Sequence, residues 1–83
     1  MSDTSGNVQT LVEQVAKVLV DAPDEVFVEP VVEAGTTVIE LTVAEGDMGR
    51  IIGRQGRTAR ALRALVAAAG VRANKRYTLE ILE

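Results

Sequence analysis

Two glycines three positions apart, Gly53 and Gly56, enclose a cation and an amide, Arg54 and Gln55. Glycine reaches backbone angles closed to other residues and lets another backbone come close. A tight loop of this kind can aim its amides at an anion, and a helix starting behind it adds the positive end of its dipole. With the Arg54 charge and the Gln55 hydrogen bonds at the tip, a phosphate satisfies all of these groups together. Arg50 precedes the loop, and Arg57, Arg60 and Arg63 follow Arg54 at steps of three. On a helix each such step falls about 60° short of a full turn. Residues 57, 60 and 63 therefore form a slanted basic stripe that begins at the glycine loop. Of Ile51 and Ile52, one can anchor in the core while the other floors a groove. An apolar floor, a phosphate-clasping lip and basic walls suit a single nucleic-acid strand with its bases turned inward. The candidate contacts are Gly53, Arg54, Gln55 and Gly56, with Arg50, Ile52, Arg57 and Arg60 around them.

The charge distribution agrees with this reading although the total does not. The 83 residues carry a net charge of −3. Between Met48 and Leu79 there are eight bases and no acid, a local charge of +8, whereas the rest holds one base and twelve acids, or −11. A local basic field attracts a polyanion even on an acidic molecule. A solvated helix face with chance asymmetry is the plainer alternative.

Other chemistry is restricted by what is absent. The chain has neither cysteine nor histidine. Disulfides, thiolate metal sites and every Ser-His or Cys-His pairing are excluded, which leaves only a carboxylate metal site in principle. No cofactor is expected. A P-loop needs glycine five residues before Gly56, where Ile51 stands, and lysine where Arg57 stands. It also needs a strand leading into the loop, where a helix is expected, so no enzymatic activity is expected. No apolar run approaches the roughly 18–20 residues of a membrane span, and no secretory signal is visible. The expectation is a cytoplasmic protein without membrane contact.

These residues must be positioned by a small number of elements. Val8, Leu11, Val12, Val15, Val18 and Leu19 predict an amphipathic helix over about 7–20, after a flexible start at 1–6. Pro23 ends it. Residues 25–32 predict a strand with Pro30 at an edge or bulge, and Ala34-Gly35 a turn. In Thr37 to Val43, Thr37, Ile39, Leu41 and Val43 alternate with Val38, Glu40 and Thr42, the pattern of a half-buried strand. Asp47 is a candidate N-cap for a short helix, Met48 to Ile52. A longer helix over about Thr58 to Ala69 turns Leu62, Leu65, Val66 and Ala69 to the core, and Gly70 ends it. Lys75 to Leu82 predicts the last strand. Phe27 and Tyr77, the two aromatics, occupy strand positions that would pack. A tight link between the first two strands favours an antiparallel hairpin, and a helical crossover to the third favours parallel pairing.

In this setting the segment Ile51-Ile52-Gly53-Arg54-Gln55-Gly56, between a short and a long helix, resembles the KH signature, whose loop clamps four nucleotides by their backbone. An additional N-terminal helix and strand is similar to the type II KH arrangement. The run from Asp47 to Leu65, the early Val28-Glu29-Pro30 and the closing Lys75-Arg76-Tyr77-Thr78-Leu79 together resemble the small bacterial KhpA family over nearly the whole chain. The resemblance implies an α+β fold of order α-β-β-α-α-β, a mixed three-stranded sheet with three helices on one face, as a single domain over 7–83. It implies single-stranded RNA binding, with RNA-chaperone or post-transcriptional roles. It also implies a homodimer, or a heterodimer with a KhpB (Jag/EloR)-type KH protein. By motif match Gly53, Arg54, Gln55 and Gly56 take the phosphate contacts, and Ile51 and Ile52 the core and groove.

Two other binding readings compete. One is a DNA-reading helix-turn-helix, although its first helix would be barely one turn. The other is a protein-interaction module, for dimerisation or as an adaptor, with weak or no RNA binding.

Overall fold

The computed structural model describes residues 5–82, and the side chains of 6–82. The expected flexible start falls mostly on residues 1–4, outside the described residues, while Ser5 and Gly6 already belong to the first helix. The elements are α1 (Ser5–Leu19), β1 (Phe27–Glu33), β2 (Thr36–Thr42), α2 (Met48–Ile52), α3 (Arg57–Arg72) and β3 (Arg76–Leu82). Single 3-10 turns lie at Pro23–Glu25, Glu45–Asp47 and Arg54–Gly56. The strand order is β1-β2-β3, antiparallel then parallel. This is the α+β arrangement that the sequence implies. No helix among the described residues is long and apolar enough to cross a membrane.

Alternation along the strands sets the two sheet faces. Val28, Ile39, Leu41, Tyr77 and Leu79 are buried beneath the helices. On the opposite face, Phe27 stands beside Thr42 and Leu82, Glu29 beside Glu40 and Glu80, and Val31 beside Val38 and Thr78. Phe27 is 61% exposed, against the expectation that it packs. Its position one residue from Val28 puts it on the uncovered face, and side-chain alternation outweighs its apolarity. Pro30 pairs with Ile39 in an unbroken register on the edge strand β1, where its missing N–H is tolerated. The hairpin turn holds both central residues at positive φ, Ala34 at 48° and Gly35 at 82°, the hallmark of the type I′ turn whose twist suits paired strands.

The helices bury narrower stripes than their apolar residues suggest. In α1, Val8, Val12 and Ala16 are buried, but Leu11 and Val18 are 41% and 83% exposed. The helix meets the sheet along one line, and residues a quarter-turn away face outward. The Gln9 side chain donates to the Val28 carbonyl at 2.8 Å and ties α1 to β1. In α3, Ala59, Leu62, Val66 and Gly70 are buried, and Leu65, expected inside, is 41% exposed. Gly70 does not end α3, which continues to Arg72. A Cβ there would lie 2.8 Å from the Lys75 carbonyl oxygen and 2.9 Å from the Tyr77 nitrogen. The glycine lets helix and strand approach, and its own carbonyl accepts the Lys75 N–H at 2.7 Å. Asn74, with φ at 59°, makes the left-handed turn that leads into β3.

Candidate nucleic-acid interface

The segment between α2 and α3 turns on three left-handed residues. Gly53 has φ 77° and ψ 172°, Gln55 φ 57° and ψ 26°, and Gly56 φ 72° and ψ 13°. The Gly53 N–H closes α2 by donating to Gly49 O at 2.9 Å, and the Gly56 N–H donates to Gly53 O at 3.1 Å. Both glycines sit at positive φ, but for different reasons. A Cβ at Gly53 would fall on the Thr58 hydroxyl and within 2.7 Å of the Thr58 Cβ. A Cβ at Gly56 would meet nothing within 4 Å. The space beside Gly53 is filled by the protein, and the space beside Gly56 is open.

Arg54 and Gln55 are exposed at the tip of the turn. α3 begins at once behind it, with Gly56 as N-cap and no side-chain cap on its first amides. The Arg57 N–H already donates to the Arg54 carbonyl within the turn, and the positive end of the α3 dipole lies at this point and favours an anion. Arg57 and Arg60 are exposed on the first two turns of α3. Arg54, Arg57, Arg60 and Arg63 form no ion pair among the described residues. Ile51 is fully buried, while Ile52 is half-buried. At the far end of α3, Lys75 and Arg76 border an open depression with Gly35, Ala67, Val71, Asn74 and Tyr77.

Arg50 is placed differently from the other candidates. Its guanidinium lies 3.0 Å from the Asp21 carboxylate and 3.7 Å from that of Asp47. Asp47 is not the side-chain N-cap of α2 that its position suggests. It is 4% exposed, and its two oxygens accept the N–H groups of Asp21 and Ala22, each at 3.0 Å. The carboxylate therefore fastens the loop after α1 to the start of α2. These two amides lie 26 and 25 residues before it, and no local pattern announces them. Thr58, which fills the space at Gly53, likewise carries no sequence signal.

The chain has clear relatives. Residues 9–81 match the family model described as KhpA/KhpB, KH domain. The chain is 50% identical to the RNA-binding protein KhpA of Clostridium acetobutylicum over 72 residues, 87% of this chain and 96% of that one. Identity to RNA-binding protein KhpA of Borreliella burgdorferi is 45% over 78 residues, 94% and 95% of the two chains. Identity to RNA-binding protein KhpA of Aquifex aeolicus is 49% over 73 residues, 88% and 92%. No solved structure matches the chain.

Proposed function

As the chain belongs to the KhpA/KhpB KH-domain family, we propose that it is an RNA-binding protein that holds single strands by their sugar–phosphate backbone at residues 53–56. The observation that carries this reading is the open space beside Gly56. There the exposed Arg54 and Gln55 meet the uncapped start of α3. Phosphate oxygens accept from the Gln55 amide beside the positive end of the α3 dipole, and Arg54, Arg57 and Arg60 supply the charge. Ile52 offers an apolar surface to the bases. Arg50 contributes by holding α2 through Asp21 and Asp47, and its 55% exposed side chain leaves part of the guanidinium available to a phosphate.

The protein carries out no reaction of its own in this reading. Residues 7–83 act as one binding domain in the cytoplasm, as an RNA chaperone or post-transcriptional regulator. It works as a homodimer or beside a KhpB-type protein with a KH domain. With no exposed tyrosine or tryptophan and Phe27 on the far sheet face, the helical side lacks stacking platforms, so backbone clasping dominates over base reading.

Fluorescence anisotropy with matched single- and double-stranded RNA tests the proposal. Tighter binding to the single strand is expected. Equal affinity for both forms, or a preference for the duplex, overturns the clasp.

A further inference from the structure

At the far end of α3 a depression of about 590 Å³ opens between the helix, the hairpin turn and the start of β3. Sites for small ligands measure about 300–1,000 Å³. Ala67 and Val71 give it an apolar wall, and Val71 is 79% exposed. Asn74, Lys75 and Arg76 border it with an amide and two cations. All three are exposed, and their side chains form no ion pair or hydrogen bond among the described residues. The one acid in the same sheet row, Glu33, stands two strands away across Thr36.

The helix joins this depression to the turn at residues 53–56. At about 100° per residue, Arg60, Arg63, Ala67 and Val71 fall within about 80° of one another around α3. All four are exposed. The cations behind the turn therefore lead along one side of the helix to the apolar wall, and Lys75 and Arg76 close the row. At about 1.5 Å per residue, Arg57 and Arg72 at the two ends of α3 lie about 22 Å apart. That is well beyond the Debye length of about 8 Å at physiological salt, so one small anion does not feel both ends. A chain of phosphates reaches both.

We propose that the depression is a second nucleotide site, filled by a distal stretch of the same RNA strand that is held at residues 53–56. The inference rests on that grip. A base lies against Ala67 and Val71 with its edge toward the Asn74 amide, and the adjoining phosphates meet Lys75 and Arg76. At about 3.4 Å per nucleotide, the spacing of a helical strand, about six or seven nucleotides cover the length of α3. With four nucleotides at the turn, a strand of about ten fills both ends.

Anisotropy titrations of the whole chain with single-stranded RNAs of about five and about twelve nucleotides separate the two ends. The longer strand should give a slope of log K against log salt steeper by about 1.4, for two further phosphates. Extra binding registers on a longer strand raise affinity but not this slope. Lys75→Gln/Arg76→Gln should remove the difference, weaken the longer strand about tenfold and leave the shorter one unchanged. Arg72 lies about 100° round the helix from Val71 and outside the depression, so Arg72→Gln should leave both strands unchanged. Equal slopes for the two lengths, a double variant that weakens both strands alike, or an Arg72→Gln effect as large as that of Lys75→Gln alone, overturns the second site and leaves the grip standing. The shorter strand reports on the turn by itself. If Arg54→Asp/Gln55→Asp binds it as the wild type does, the grip at residues 53–56 is wrong and the two-ended arrangement falls with it.

Discussion

The Thr58 side chain occupies the space into which a Cβ on Gly53 would project. This contact separates the two glycines of the turn. Gly53 combines a φ/ψ pair open essentially to glycine alone with a steric block, whereas Gly56 has only a left-handed backbone and free space around it.

Gly53→Ala should therefore cost about 3 kcal/mol, from backbone strain and overpacking together. Gly56→Ala should cost only about 1–2 kcal/mol, the ordinary penalty of a left-handed alanine. Urea denaturation of both variants checks the order. Equal losses would mean that Thr58 does not constrain the turn. Because Gly56→Ala keeps most of the fold, it should weaken RNA more than stability by placing a methyl group where the strand backbone runs.

Asp47 should matter more for stability than its position before a five-residue helix suggests. Its buried carboxylate serves two amides of the loop after α1. Asp47→Ala leaves both without their acceptor and should cost about 2–4 kcal/mol. Asp47→Asn keeps one good acceptor and should lose about half of that. The exposed Arg50–Asp21 pair contributes far less, so Asp21→Ala should cost under about 1 kcal/mol. Thermal or chemical melts in which Asp47→Ala is as stable as Asp21→Ala would contradict this assignment.

The phosphate-based grip makes affinity depend on salt. For three or four phosphate contacts to a single strand, the slope of log K against log salt should be about −2 to −3. Anisotropy titrations over a range of potassium chloride measure it. Removing the charge of Arg57 with Arg57→Gln should reduce the slope by about 0.7. A flat dependence would point to apolar or base-specific contacts instead.

Much of the architecture is legible in the chain because it follows local rules. The alternation through Ile39, Leu41 and Val43 sets the central strand, and Gly53 and Gly56 mark the turn by the angles that they alone adopt easily. Asp47 and Gly70 depart from their local patterns because of contacts with other segments. Asp47 looks like a cap until Asp21 and Ala22 arrive beside it. Gly70 looks like a helix stop, yet it marks where α3 meets Lys75 and Tyr77. Leu65 and Phe27 are apolar but exposed, since a small domain has too few layers to cover every apolar side chain. At the site the glycines and arginines are visible in sequence. The engagement of Arg50 with Asp21 is not, because those residues are brought together only by the fold.

The most direct test of the account is the RNA affinity of Arg54→Asp/Gln55→Asp. Both side chains are exposed at the tip of the turn, so the circular dichroism spectrum and melting curve should match those of the wild type. Two carboxylates would then face the phosphates, and affinity for a single-stranded RNA should fall by at least about tenfold, equivalent to about 1.4 kcal/mol. Unchanged affinity in a folded double variant would contradict a backbone grip at residues 53–56.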